Sequence, residues 1–218
     1  MIRVKICGVT TIEDGVLAAE LGASAIGLVF WPGSPRCVEI AKAKAIVSAL
    51  PPFVSAVGVF VDQADEALAI ARETGLSAVQ FHGDEPPGSY RAFPLRVIKA
   101  VTVRDASARE AAAAVLPGAT VLLDAHDRVK RGGTGRGVDW AIAAMIARER
   151  PVILSGGLNP ENAADAVRIV RPYAIDLSSG VELAAGRKDP AKLRALFAAL
   201  GAADHADNGP RNTRNDQS

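Results

Sequence analysis

A single-domain (β/α)8 barrel of the TIM class, within the α/β fold class, is the fold this sequence predicts, on three observations. Short β-branched runs alternate with Ala-rich helical stretches as far as Leu200. Eight such strand-helix units can be counted at roughly 25 residues each, the compact end of the barrel class and more than a doubly wound sheet usually needs. Nothing between the units resembles an interdomain linker, so residues 1–200 are expected to form one domain. The doubly wound sheet is the competing fold.

Taken in order, the first unit pairs a strand over Arg3 to Cys7 with a helix from about Thr11 to Leu21. Thr10 and Glu13 have the spacing of a capping box, and Gly22 fits the position just past the helix end. The second unit is Ala25 to Phe30 with Glu39 to Leu50, stopped by Pro51 and Pro52, and the third is Ser55 to Val61 with Gln63 to Thr74. Ala78 to Phe81 follows, with a weak helix near Pro87 to Ala92, then Arg96 to Val101 with Ala106 to Val115. The last three units are Thr120 to Asp124 with Asp139 to Ala147, Val152 to Ser155 with Pro160 to Val170, and Ala174 to Ser178 with Pro190 to Leu200. Residues 201–218 are polar and almost without large apolar side chains, and are expected to form a disordered C-terminal tail.

Composition narrows the function classes. The hydrophobic fraction is 49% but only 5% of residues are aromatic, so the core is built from Ala, Val, Leu and Ile, as for helices packed on a parallel sheet. With 25 basic and 24 acidic residues there is no large positive excess for counterion release along nucleic acid. A local patch for a small anion is the scale of charge that remains. No apolar run approaches the ~18 to 20 residues of a membrane span, and the N-terminus enters a strand pattern without a signal-peptide core. A cytoplasmic protein without a membrane partner is expected. Cys7 and Cys37 cannot make a disulfide framework and lack zinc-site spacing, and the three histidines are scattered, so no metal is expected.

In a parallel barrel the active site is built at the C-terminal strand ends and the loops that follow them. The unusual residues fall there. Gly156-Gly157-Leu158-Asn159-Pro160 follows strand seven, with Asn159 suited to an N-cap and Pro160 to the first helical position, and Ser178-Ser179-Gly180 follows strand eight. Small residues in these two loops let backbone N–H groups point at a phosphate, the place where barrels commonly hold one. Taken singly, each loop reads more readily as a tight turn; it is the two together, in the correct units, that point to phosphate.

Cys7 and Asp124 each end an apolar strand. Alternation puts Lys5 on the same face as Cys7, where a cation favours the thiolate, although a free cysteine is by default a small buried hydrophobe. Lys5 pointed into a barrel needs a carboxylate, and Asp124 and Asp176 are the candidates. Asp124 otherwise serves as an N-cap or as a partner of Lys5 or Lys99. Gln80 and His82 share a face of strand four, with His82 either a local hydrogen-bonding group or a site residue. Arg36, on the Pro-stiffened turn Ser34-Pro35-Arg36, suits a carboxylate or is a surface arginine. The run Arg131-Gly132-Gly133-Thr134-Gly135 lies in a long insert after strand six and is a lid, a binding loop or a solvated loop.

The ordered set of these pieces resembles the phosphoribosylanthranilate isomerase family of tryptophan biosynthesis. The matching segments are Lys5-Ile6-Cys7-Gly8, Ser34-Pro35-Arg36, Val57-Gly58-Val59-Phe60, Val79-Gln80-Phe81-His82-Gly83, Leu122-Leu123-Asp124, Gly132-Gly133-Thr134-Gly135, Asp139-Trp140, Gly156-Gly157-Leu158 and Asp176 to Glu182. The resemblance implies an Amadori rearrangement of a phosphosugar-anthranilate substrate, without cofactor or metal. It assigns the general base to Cys7 and the general acid to Asp124, the anthranilate carboxylate to Arg36, and the phosphate to Gly156, Gly157, Ser178, Ser179 and Gly180. Asp176, with His82 and Gly133, completes the expected substrate contacts. Departures are Phe81 where leucine is commoner, Val138 where an aromatic is usual, and a highly charged stretch from Ala125 to Arg131. A monomer and a homodimer are both compatible with the pattern. Two other readings compete: the aminoaldose isomerase of the histidine pathway or a bifunctional relative, which places an aspartate at the position of Cys7, and a catalytically silent phosphate-binding barrel.

Overall fold

The computed structural model describes residues 2–124 and 139–207. Eight parallel strands close into a barrel in sequence order: β1 (Arg3–Cys7), β2 (Ala25–Val29), β3 (Ser55–Phe60), β4 (Ala78–Phe81), β5 (Arg96–Thr102), β6 (Ala119–Asp124), β7 (Val152–Leu154) and β8 (Ala174–Leu177). Closure is made by β1 on β8, with Lys5 opposite Asp176. The helices between them are α1 (Ile12–Glu20), α2 (Ile40–Ala49), α3 (Ala64–Thr74), α4 (Pro87–Tyr90), α5 (Ala108–Ala114), α6 (Trp140–Glu149) and α7 (Ala163–Val170), with α8 (Pro190–Asp207) last.

Strand alternation divides the core in two. Outward residues such as Ile6, Ile26, Leu28, Leu123 and Leu154 meet the apolar faces of the helices, where Ala18, Ala43, Ala67, Ala143 and Ala166 let helix and sheet approach closely. Inward residues Val57, Ala78, Ile98, Leu122, Ile153 and Ala174 fill the barrel as a separate cluster. Above them Cys7, Val29 and Val59 pack together with Trp31 against them. The interior is therefore apolar at its base and turns polar toward the C-terminal strand ends, a gradient that puts reactive groups on an apolar floor.

Local chemistry explains the element ends and three departures from expectation. Thr11, not Thr10, caps α1, its hydroxyl accepting from the Asp14 N–H at 3.2 Å. Thr10 instead donates to the Gly186 carbonyl at 2.6 Å, a long-range contact that spacing alone cannot reveal. Asn159 accepts from the N–H groups of Glu161 and Asn162, both at 3.0 Å, and so caps a turn ahead of α7, which itself starts at Ala163 rather than Pro160. Helix α8 runs through Asp207, seven residues past the expected end at Leu200. The expected tail boundary at residue 201 is corrected accordingly: Ala202 and Ala203 favour helix, and a single Gly201 opposes it by only about 1 kcal/mol. The remainder of the expected tail, 208–218, lies outside the described residues.

Between β8 and α8 the chain makes a short 3-10 turn, Ser179–Val181, and a two-stranded hairpin, β9 (Glu182–Ala184) and β10 (Arg187–Lys188), turning at Gly186 with φ of 80°. The alternation of strand and helix gives no sign of this hairpin. Among the described residues no helix is long and apolar enough to cross a membrane.

Candidate active site

The C-terminal ends of the strands bring most of the expected residues together. Cys7 ends β1 and Asp124 ends β6, strands separated in the closed sheet by β8 and β7, and both residues are buried at 8% exposure. Register places them on inward rows: Cys7 pairs with Gly27, where a Cβ would lie 2.8 Å from the Cys7 sulfur and 3.1 Å from Lys5 Nζ. Only glycine leaves the thiol and the ammonium that space.

Lys5 is fully paired with Asp176, its Nζ donating to both carboxylate oxygens at 3.0 Å. Of the two carboxylates the sequence offers, register selects Asp176, because directly opposed residues of parallel neighbours point to the same face. Burial works against the Lys5 charge, but Asp176 and Cys7 outweigh it and hold the ammonium above its ordinary range. The Cys7 thiol goes the other way from the expectation that Lys5 would favour the thiolate. Burial pushes it up, and the opposing pull of Lys5 and Lys188 does not overcome that, so the net shift is upward.

Among the described residues, Asp124 is set against His82 rather than Lys5 or Lys99. Its Oδ2 lies 3.1 Å from His82 Nε2, and His82 Nδ1 lies 2.9 Å from Gln80 Nε2. An amide nitrogen only donates, so Nδ1 is the acceptor and the ring proton sits on Nε2, facing the carboxylate. Gln80 is 1% exposed and its Oε1 has no partner. With the amide turned over, Oε1 would accept from an Nδ1–H and let the ring Nε2 accept a proton held by Asp124. The Gln80-His82-Asp124 line thus accommodates either protonation state of the carboxyl group. Lys99, on the outer face of β5, pairs instead with Glu85 at 2.9 Å and donates to the Gly83 carbonyl at 2.6 Å, fixing the loop that carries His82.

Arg36 is held rather than loose. Its Nε and Nη2 donate to the two oxygens of Glu182 at 2.8 and 2.6 Å, which raises the guanidinium pKa. That contact occupies one edge of the fork, and the edge formed by the remaining N–H groups can take a second carboxylate. The two phosphate-loop candidates touch directly. Gly156 and Gly157 have φ of 88° and 72°, a conformation that favours glycine, and a Cβ on Gly180 would lie 2.9 Å from the Leu158 carbonyl carbon and 3.1 Å from Asn159 Cα. Gly8, with φ of 72°, lets the end of β1 pass beneath Arg36 and Ser178, since a Cβ there would come within 2.5 Å of Arg36 Cδ. Gly133 lies outside the described residues.

Two buried groups escape a reading of the sequence. Glu182 stands there only as the end of a motif, and Lys188 looks like any lysine before a helix cap. Both are buried, and both are delivered by the unforeseen hairpin. The available signal is the pair Lys188-Asp189 shortly after a glycine, and it is weak.

Comparison with known proteins bears directly on this constellation. Residues 4–199 match the family model described as N-(5'phosphoribosyl)anthranilate (PRA) isomerase. The chain belongs to that family. A relative from Neisseria gonorrhoeae named N-(5'-phosphoribosyl)anthranilate isomerase is 47% identical over 199 residues, 90% of this chain and 95% of its own length. The crystal structure of phosphoribosyl anthranilate isomerase from Thermotoga maritima superposes with a TM-score of 0.86 at 40% identity, covering 93% of this chain and all of that one. A further isomerase structure, in complex with reduced 1-(o-carboxyphenylamino)-1-deoxyribulose 5-phosphate, is 39% identical with a TM-score of 0.82 over 93% of this chain and all of its own. The family resemblance drawn from the motifs and the barrel drawn from the eight units are both borne out.

Proposed function

We propose that the protein converts N-(5-phosphoribosyl)anthranilate to 1-(2-carboxyphenylamino)-1-deoxy-D-ribulose 5-phosphate, with Asp124 as general acid and Cys7 as general base. The observation that carries the reading is a buried thiol and a buried carboxyl group on the inward rows of β1 and β6, at one mouth of a barrel of this family. The reaction is the third step from chorismate to tryptophan, and a cytoplasmic setting goes with it.

The anthranilate carboxylate is met by the open edge of Arg36, whose other edge Glu182 holds still. The phosphate lies on the backbone N–H groups of the touching loops at Gly156-Gly157 and Ser178-Ser179-Gly180, and Asp176 faces the sugar hydroxyls while also holding Lys5. Asp124 gives its proton to the furanose ring oxygen, the C1′–O bond breaks, and the anthranilate nitrogen becomes an iminium. Cys7 then takes the C2′ proton, and the electron pair of that bond moves toward the iminium to give the enolamine, which tautomerises to the ketone.

The pKa directions support this order of events. In the free protein burial keeps Cys7 protonated more than an ordinary thiol. Ring opening creates a cation beside it, and a nearby cation favours the thiolate while it acidifies the C2′–H. The thiolate population is thus raised, and the C2′ proton made easier to remove, at the step that needs both.

Cys7→Ala and Asp124→Asn test the division of labour. Each should lower kcat by about 10² to 10⁴-fold, the usual worth of a positioned acid or base, with little change in KM. The assay is loss of phosphoribosylanthranilate fluorescence, and near wild-type kcat in either variant overturns the mechanism. Comparable turnover of the histidine-pathway aminoaldose would favour the bifunctional alternative.

A further inference from the structure

Among the described residues, Lys188 is a buried cation at the site that the mechanism does not use. Lys188 has no side-chain exposure, and its ammonium makes three contacts: the Cys7 carbonyl at 2.6 Å, Glu182 Oε1 at 2.8 Å and the Ser178 carbonyl at 3.3 Å. An ammonium has three donors, so all are engaged. Two of the acceptors belong to the backbone of residues already given roles, and the third is the carboxylate that grips Arg36. Glu182 accepts in addition from the Gly186 N–H at 3.2 Å.

The hairpin that carries Lys188 is itself pinned. The Lys188 N–H donates to Asp14 on α1 at 2.9 Å, the Gly186 carbonyl accepts from Thr10 at 2.6 Å, and Lys192 on α8 donates to the Glu182 carbonyl at 2.9 Å. Such anchoring is more than a surface turn requires. It fixes a charge against the end of β1, the loop after β8 and the arginine of the loop after β2.

We propose that Lys188 is a positioning residue for the isomerisation: with Glu182 it locks the Cys7 backbone and the Arg36 guanidinium into one frame, and it supplies a fixed positive charge beside the Cys7 thiol. This deepens the reading of Cys7 as the base and rests on it. The charge is supplied in a place where burial opposes the thiolate, so a second cation besides Lys5 has an electrostatic use. The charged groups acting on Cys7 are Lys5 on its own strand, Asp176 on β8 and Lys188 on β10, with Arg36 coupled to it from the loop after β2. Burial pulls the Lys188 pKa down while Glu182 pulls it up, and the net shift is downward.

The test uses full-length protein carrying Cys37→Ser, which removes the exposed second cysteine and leaves Cys7 as the only thiol. The rate of Cys7 alkylation by iodoacetamide is followed against pH, alongside steady-state kcat and KM. Lys188→Met is the main variant, because Glu182 keeps Arg36 as a partner. Lys188→Gln is the second, retaining N–H donors without charge. In both, the alkylation midpoint should rise by about one pH unit, as expected for loss of a nearby opposite charge. In Lys188→Met, kcat/KM should fall by about 10²-fold, the scale of a 1 Å misplacement. A folded variant with an unchanged midpoint and kcat/KM within threefold of the parent overturns the proposal. Because the midpoint is read without turnover, it separates this proposal from the assignment of Cys7 as base, which stands or falls on Cys7→Ala.

Discussion

Gly180→Ala isolates the contact between the two loops proposed to hold phosphate. Gly180 does not have a positive φ, so its backbone can accept alanine and the objection is purely steric. The added Cβ would stand 2.9 Å from the Leu158 carbonyl carbon and 3.1 Å from Asn159 Cα, and closer still to the Leu158 oxygen. Ordinary carbon contacts begin near ~3.5 Å, so the carbon atoms alone require the loops to part by about 0.6 Å, and the oxygen requires more. Overpacking of this kind costs about 1 to 3 kcal/mol, and about 1.4 kcal/mol is a factor of ten in an equilibrium constant. If that cost falls on phosphate binding, the variant should raise KM for phosphoribosylanthranilate by about 5- to 100-fold, with a smaller fall in kcat, because the displaced groups are proposed to bind the phosphate and not to touch the reacting atoms. Inorganic phosphate as a competitive inhibitor should weaken in parallel. KM and phosphate inhibition both within twofold of wild type would show that the touching loops are not the anion site.

Other consequences follow from the charges around the mouth. Burial pushes the Cys7 thiol up, so the thiolate fraction grows with pH and Cys7 alkylation in the Cys37→Ser protein should have its midpoint above the ordinary thiol value of about 8.5; a midpoint below about 8 would contradict the burial argument. Lys5→Met strands Asp176 in the barrel and should destabilise the protein by about 3 to 5 kcal/mol in urea unfolding, whereas Lys5→Met with Asp176→Asn should recover much of the loss. No recovery would mean that the pair is not what the interior depends on. At Glu182 burial favours the neutral form, but Arg36 and Lys188 outweigh it and lower the pKa. Its stabilising contribution is thus present above the unfolded carboxylate value of about 4.3 and lost as pH falls through the folded value, so Glu182→Gln should flatten the loss of stability between about pH 5 and pH 3. An acid-unfolding curve as steep as wild type would refute that sign.

The barrel and its eight strands are legible in the chain before it folds, because periodicity and apolar runs are local and each unit carries its own, and alternation adds which side chains share a face in strands one and four. The gathering of Cys7, Asp124, Asp176, His82 and the glycine loops at one mouth is legible too, since parallel strands bring their C-terminal ends to the same side. Pairing is not. Lys5 has two plausible carboxylates until the register of β1 on β8 sets it opposite Asp176, and Asp124 has several plausible roles until the fold places His82 against it. The direction of the Cys7 shift depends on weighing burial against a cation, and both quantities exist only in the folded molecule. Glu182 and Lys188 are least legible of all. A buried ion pair depends on which distant backbone carbonyls and guanidinium surround it, and the hairpin that presents this one carries no periodic signal of its own.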